Sequence, residues 1–181
     1  MNARVGAVLV GGSSRRMGRD KATLILPDGT RMVDRPIVAL REAGCRRIAS
    51  IGRTIVGLED VDDAEGWPQG PVSGVVAAIR WAEDAGAEDL LIAPCDVPHL
   101  QMSVLHGLLE AGGSAIWSVE GRLQPLIARL HLKDVSLPKE RLSAAGSLMI
   151  ELGCMVLEWD GDPRPFTNVN DPRDLDSLAP S

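Results

Sequence analysis

The sequence predicts an α/β protein with three layers, in which helices cover both faces of a mostly parallel sheet. Short apolar runs alternate with amphipathic stretches along the chain, as in βαβ units. The run DLLIA at 89–93 is nearly continuous in apolar residues, which is typical of a strand covered on both faces. No repeat, low-complexity linker or composition break divides the 181 residues, so we expect 1–181 to form a single domain.

The first half of the chain gives the clearest elements. The apolar run 5–10 predicts a buried strand, and 32–43 has the pattern of a helix that Gly44 ends. A second strand is predicted at 47–52, followed by an acidic, turn-rich segment as far as residue 70. A strand, a helix and a second strand thus follow one another, and this order favours parallel pairing of the two strands.

The following segments continue the alternation. Residues 72–85 predict a helix with its apolar residues on one side, ended by Gly86, and 89–93 is the central strand. Later signals are weaker. The predicted helices there are 100–111, 134–150 and 172–178, and the predicted strands are 115–119, 126–130 and 154–159.

Composition argues against a general nucleic-acid-binding protein. The formal net charge is −6, and the chain has no Tyr and one Phe, which leaves little for stacking on bases. Its 45% apolar and 24% charged residues are ordinary for a globular protein. A local basic cluster in such an acidic chain therefore points to a specific anionic ligand.

Cysteine usage and the absence of long apolar runs indicate the compartment. Cys45, Cys95 and Cys154 are widely spaced and form no C-x-x-C pair, which argues against a disulfide framework or a structural zinc site. No stretch is long and apolar enough to span a bilayer. We therefore expect a cytoplasmic protein with no membrane partner.

The segment LVGGSSRRMGRDK at 9–21 is the strongest chemical signal. A strand that runs into a glycine-rich turn leaves backbone N–H groups able to bind phosphate oxygens, and Arg15, Arg16, Arg19 and Lys21 add positive charge. The spacing fits neither a Walker A loop nor a dinucleotide fingerprint. A nucleoside triphosphate site is one interpretation; a glycine turn followed by a solvated basic loop is the other.

Two polar groups follow later elements. Asp96 comes directly after the central strand, where it could bind Mg²⁺ or satisfy turn amides. Before the last predicted helix, Asp171 and Pro172 are explained by helix capping, but Asn168 and Asn170 are not. Ligands of open α/β sheets bind at the carboxyl ends of the strands, where Asp96 and the glycine-rich loop are both expected.

Together these segments resemble the molybdenum cofactor guanylyltransferase family, in the wider nucleotidyltransferase group. The resemblance spans residues 5–178, nearly the whole chain. Its segments are LVGGSSRRMGRDK at 9–21, GPVSG at 70–74, PCDVP at 94–98, QPLIA at 124–128 and FTNVNDPRDL at 166–175. It implies a Rossmann-like nucleotidyltransferase fold and the transfer of GMP from GTP to a molybdopterin phosphate, with release of pyrophosphate.

The resemblance also implies residue roles. Arg16 and Lys21 match the basic phosphate contacts, and Asp96 matches both a catalytic residue and the Mg²⁺ ligand. The positions that match the family's nucleotide-binding residues are Leu9, Val10, Gly11, Gly12 and Asp63. Those that match its pterin-binding residues are Gln124, Asn168 and Asn170. Molybdoenzymes or their chaperones are the implied protein partners.

Alternatives remain at this stage. Val10 stands where the family commonly has Ala, and residues 50–53 lack the Asn that members often carry near the base. The chain could therefore use CTP or another phosphate acceptor, or be a nucleotide-binding regulator without catalysis. His99, His106 and His131 have no role in the implied reaction, because the attacking phosphate is already ionised near neutral pH.

Overall fold

The computed structural model describes residues 3–11, 21–169 and 174, excluding the side chain of Lys21. The strands are β1 (Arg4–Leu9), β2 (Arg47–Ile51), β3 (Glu59–Val61), β4 (Asp89–Pro94), β5 (Ala115–Val119), β6 (Arg122–His131) and β7 (Met155–Trp159). The α-helices are α1 (Asp34–Glu42), α2 (Pro71–Asp84), α3 (Met102–Glu110) and α4 (Ala145–Glu151). Short 3₁₀ turns lie at Lys21–Thr23, Leu132–Asp134 and Arg164–Phe166.

The described strands form one seven-stranded sheet in the order β3-β2-β1-β4-β6-β5-β7. Among them β6 runs antiparallel to both of its neighbours, and the other pairs are parallel. The α1 and α3 helices pack on one face of the sheet, and α2 and α4 on the other. The predicted three-layer, mostly parallel α/β fold is therefore confirmed.

The strand β6 is longer than predicted, and it runs antiparallel to its neighbours in an otherwise parallel sheet. A two-residue turn joins β5 to β6, with Glu120 at φ 50° and Gly121 at φ 75°. Positive φ at both positions matches the right-handed twist of the two strands and produces a tight hairpin. The sequence predicts a strand only at 126–130, whereas β6 begins at Arg122.

The long helix predicted at 134–150 is wrong over most of its length. Only Ala145–Glu151 is helical, and the preceding loop contains Pro138, which cannot donate a helical hydrogen bond. Leu137 and Leu142 in this loop are partly buried against the α2 face, which explains the misleading apolar pattern. The helix predicted at 172–178 lies outside the described residues apart from position 174.

The short strand β3 was not predicted. Its three residues, Glu59 to Val61, include two acids, and their pairing with β2 depends on contacts distant in sequence. Other elements agree with the prediction to within a few residues at their ends. Within the described ranges, no helix is long and apolar enough to cross a membrane.

A buried ionic cluster lies at the amino ends of β1 and β4. The Asp89 carboxylate, with its side chain 2% exposed, accepts hydrogen bonds from Arg129 Nε at 3.0 Å and Arg129 Nη2 at 2.8 Å. His131 Nδ1 lies 3.0 Å from Asp89 Oδ1, and Arg4 Nη2 lies 3.9 Å from Oδ2. This cluster joins β1, β4 and β6 at the edge of the sheet opposite Gly11.

Candidate active site

The carboxyl ends of β1, β2 and β4 form the edge at which the predicted site residues gather. Val10 N–H donates to the Ile51 carbonyl over 2.9 Å, and Cys95 N–H donates to the Leu9 carbonyl over 3.1 Å. Parallel pairing thus continues just past the end of β1 on both sides. Because Leu9 and Val10 are buried, Gly11 is the first residue of this segment to be exposed.

Three glycines lie around the carboxylate of Asp63. A Cβ placed on Gly11 would lie 3.3 Å from Asp63 Oδ2, and one placed on Gly52 would lie 3.1 Å from it. A Cβ on Gly74, in the first turn of α2, would lie 3.4 Å from Oδ1. The lack of side chains at these positions leaves room for the carboxylate, and we call this group the glycine cradle (Gly11, Gly52, Gly74).

Gly52 is also required by the backbone. Its φ is +85°, and a Cβ there would lie 3.1 Å from the Cα of Gly11. An L side chain would be strained in that conformation and would collide with the facing chain. The ends of β1 and β2 therefore approach each other so closely that only glycine fits at residue 52.

Asp63 is held at this edge by the backbone on either side of it. Gly52 N–H donates to the Val61 carbonyl over 2.8 Å, and Ala64 N–H donates to the Ser73 carbonyl over 3.3 Å. Asp63 itself is exposed. The structure thus brings Asp63 together with Leu9, Val10 and Gly11, although the acids and turns between β2 and α2 gave no sign of this.

Asp96 lies just beyond the end of β4, on the same edge, and is half-buried. Its backbone carbonyl accepts a hydrogen bond from Val169 N–H over 2.9 Å. Asn168 is exposed beside this bond, between the buried residues Phe166 and Val169. The C-terminal motif is therefore brought to the Asp96 turn, as expected if both belong to one site.

Gln124 lies at the same edge but further from the glycine cradle. It is half-buried on β6, where it pairs with Trp117 of β5. The first part of β6 extends beyond its last pair with β4, Ile92 with Ala128, towards the carboxyl edge. Gln124 and Asp63 are therefore on opposite sides of β4, because Gln124 lies on β6 and Asp63 follows β3, on the side of β4 that also holds β1 and β2.

The backbone of Lys21 is placed near this edge by the elements that follow it. Lys21 begins a 3₁₀ turn whose next residue, Ala22, is 1% exposed, and Val33 N–H donates to the Ala22 carbonyl over 3.1 Å. The predicted residues Gly12, Arg16 and Asn170 lie outside the described part of the chain, as does the side chain of Lys21.

With this geometry in place, comparison with known proteins identifies the family. The MobA-like NTP transferase domain family matches residues 6–147. The chain belongs to this family. It is therefore a transferase of the nucleotidyltransferase group.

Individual relatives agree with the assignment to the MobA-like family. A probable molybdenum cofactor guanylyltransferase of Opitutus terrae is 34% identical, over 78% of this chain and 73% of that protein. A molybdenum cofactor guanylyltransferase of Rhodobacter capsulatus is 30% identical, over 94% of this chain and 92% of that protein. A nucleotidyl transferase structure from a Methanothermobacter species superposes with a TM-score of 0.70, at 18% identity, covering 98% of this chain and 96% of that chain.

The donor set at the edge of this MobA-like domain suits Mg²⁺ better than a transition metal. Among the described residues, no group of three or more His, Cys, Asp or Glu side chains is arranged to hold a metal ion. Mg²⁺ is usually held by one or two carboxylates together with substrate phosphates. The half-buried Asp96 carboxyl group fits that requirement.

His131 and His106 lie in other parts of the fold, and the thiols of Cys45 and Cys154 are buried. His131 belongs to the Asp89 cluster, and His106 is exposed on α3. Burial, and then the positive charges of Arg164 and Arg35, lower the pKa of His99, which lines a groove between α1 and α3. Burial raises the pKa of Cys45 and Cys154 to about 12, so both thiols stay protonated at neutral pH.

Sequence reasoning missed Gly52 as a site residue. It was assigned to the end of a strand, and its neighbourhood was noted only for a missing Asn. A usable signal was present: like Gly11, Gly52 directly follows an apolar parallel strand, where glycine permits close approach of the backbone.

Proposed function

We propose that this MobA-like protein transfers GMP from GTP to the terminal phosphate of molybdopterin, forming molybdopterin guanine dinucleotide and pyrophosphate. The observation that carries the proposal is the edge on which the glycine cradle, Asp63 and Asp96 meet. The names of the relatives from Opitutus terrae and Rhodobacter capsulatus support the guanylyl product.

The glycine cradle would receive the nucleotide. Gly11 is exposed and has no side chain, so the backbone there can come close to a ligand, while Gly52 lets Asp63 and Gly11 approach each other. Leu9, Val10 and Gly12 complete this segment. The exposed Asp63 carboxylate would accept hydrogen bonds from nucleotide hydroxyl or amino groups, since an ionised carboxylate is an acceptor only.

The phosphates would lie between the basic loop and Asp96. Arg16 and Lys21 would neutralise the charge that develops on the departing pyrophosphate. Mg²⁺, when bound, would neutralise triphosphate oxygens, and Asp96 is the residue that would hold it. Asp96 thus contributes to catalysis by fixing the position of the phosphates.

The acceptor requires no general base from the protein. Its phosphate is ionised near neutral pH, so the chain needs only to position it and to neutralise charge. His131 belongs to the Asp89 cluster and His106 is exposed on α3, in agreement with such a mechanism. On the acceptor side, Gln124, Asn168 and Asn170 would hydrogen-bond the pterin, because amide groups both donate and accept.

Product analysis with two nucleotides tests the proposal. The purified protein is incubated with Mg²⁺, molybdopterin and either GTP or CTP, and the dinucleotide and pyrophosphate are quantified. We expect the guanine dinucleotide with equimolar pyrophosphate. Preferential formation of the cytosine product would indicate a sister transferase, and nucleotide binding without pyrophosphate release would indicate a regulator; either result contradicts the proposal. The product would pass to molybdoenzymes or their chaperones.

A further inference from the structure

A small apolar cluster lies apart from the two main core layers. It consists of Leu26, Met32 and Val169, which are 5%, 0% and 1% exposed, with Leu24 packed against them. We call it the Val169 cluster. It is separate from the residues that α1 and α3, or α2 and α4, bury against the sheet.

One side of the Val169 cluster belongs to the segment that follows the basic loop. Met32 N–H donates to the Leu24 carbonyl over 2.8 Å, and Leu26 N–H donates to the Thr30 carbonyl over 2.8 Å. These bonds close a small hairpin over residues 24–32 directly after the Lys21–Thr23 turn. Packing on Leu26 and Met32 therefore acts on the segment that leads out of the Lys21 turn.

The other side belongs to the C-terminal motif and the Asp96 turn. The Val169 side chain packs on Leu26 and Met32, while its N–H donates to the Asp96 carbonyl over 2.9 Å. Phe166 provides a second anchor by packing edge-to-face with Trp117 and Trp159. Asn168, exposed between the two anchors, consequently has little freedom to shift relative to Asp96.

We propose that Val169 is a positioning residue for the transfer reaction, which fixes the Lys21 turn, the Asp96 turn and Asn168 relative to one another. The Val169 side chain acts on the Lys21 turn through Leu26 and Met32. Its N–H group holds the Asp96 turn, and its backbone fixes the neighbouring Asn168. This inference rests on the proposed function. The residues of the glycine cradle are not members of the Val169 cluster, so the contacts proposed there for the nucleoside do not depend directly on Val169.

The test compares Val169→Ala with Val5→Ala. Val5 is 4% exposed at the amino end of β1, at the opposite edge of the sheet from Gly11, so its truncation controls for a general loss of stability. We expect Val169→Ala to lower kcat by about tenfold and to raise the KM for molybdopterin several-fold, because small displacements of reacting groups are costly. The KM for GTP should rise as well, because the Lys21 and Asp96 turns would bind its phosphates, while the contacts of the nucleoside at the glycine cradle stay in place.

A second variant and a second measurement distinguish a positioning role from a general loss of stability. Leu26→Val trims the same cluster from the opposite side by one carbon, and it should shift kcat in the same direction by a smaller factor. Electron paramagnetic resonance titration of Mn²⁺, with a GTP analogue that cannot transfer GMP, measures the ion site without turnover. Val169→Ala should weaken Mn²⁺ affinity several-fold, and Val5→Ala should not.

The outcomes are distinct. Equal kinetic and Mn²⁺ behaviour of Val169→Ala and Val5→Ala would overturn the positioning role. If wild-type protein formed no guanine dinucleotide, the proposed function would fail. In that case the Mn²⁺ titration would still decide the inference: weaker affinity in Val169→Ala alone supports positioning of Asp96, and unchanged affinity overturns it.

Discussion

The two ends of β4 each carry an aspartate, and the two residues have contrasting surroundings. Asp89 opens the strand and is almost fully buried, in hydrogen-bonding contact with Arg129 and His131. Asp96 follows the strand and is half-buried at the edge where Gly11 is also exposed. One strand thus has at its amino end a carboxylate paired with buried cations, and beyond its carboxyl end the carboxylate that we propose to hold Mg²⁺.

The two edges of the sheet differ in the hydrogen-bond donors near the carboxylates and in the space left by side chains. At the amino edge, guanidinium groups from two strands approach Asp89, and Arg129 Nη1 also donates to the Leu109 carbonyl over 3.0 Å. At the carboxyl edge, glycines replace side chains around Asp63 and leave an open backbone surface. Removing one partner of a buried ion pair lowers the stability of the protein strongly. A change at an open edge affects stability little, but it alters which ligand can bind there. We therefore expect mutations at the two edges to affect different properties.

The largest expected effect is at the ligand end of β4. Asp96→Asn removes the charge expected to hold Mg²⁺, so we expect kcat/KM for the guanylyl transfer to fall by about 10³-fold. The matched control is Asp160→Asn, because Asp160 is an exposed carboxylate that follows β7 at the same edge. Near-normal turnover of Asp96→Asn would remove Asp96 from the site.

The corresponding substitution at the amino end of β4 is Asp89→Asn. Asp89→Asn leaves Arg129, with its side chain 8% exposed, beside a neutral amide, and we expect the free energy of unfolding to fall by about 3 kcal/mol. Urea denaturation gives this value, and kcat measured on the folded fraction should stay near that of the wild type. A large loss of kcat without a loss of stability would mean that the two edges are not separate in function.

A smaller effect is expected from two glycine substitutions that separate backbone strain from a steric clash at the open edge. Gly52 and Gly57 both have positive φ, +85° and +89°, but a Cβ at Gly57 meets nothing within 4 Å. Gly57→Ala should therefore cost about 1 kcal/mol of unfolding free energy through strain alone. Gly52→Ala should cost more and also weaken GTP binding, because its Cβ would crowd Asp63 and Gly11. Equal GTP affinities, measured by calorimetry, would show that the glycine cradle does not receive the nucleotide.

Local patterns in the sequence predicted most of the fold. The apolar runs of β1 and β4 and the glycine after α1 are signals contained within a few residues, and the structure agrees with them closely. The failures have tertiary causes. Strand β3 exists because β2 is available to pair with it, and the loop after His131 buries leucines without being helical.

The site was predictable in part. Asp96 and the glycine-rich loop follow apolar strands, so the rule for open α/β sheets places both at one edge. The approach of Asp63 to Gly11 and Gly52 depends on how three distant segments fold together, and residue types alone do not reveal it. The position of Asp63 came only from the family resemblance. The roles given to all of the candidate site residues stay predictions, and Gly12, Arg16, Asn170 and the side chain of Lys21 also lie outside the described part of the chain.

The hairpin between β5 and β6 has a consequence for how this protein can diversify. Because β5 runs in the same direction as β1 and β4, its turn at Glu120 and Gly121 lies at the edge of the sheet that carries Asp96. Residues inserted into that turn would extend the rim without shifting the register of β1 with β2 or β4. The rim near Gln124 can therefore evolve independently of the glycine cradle.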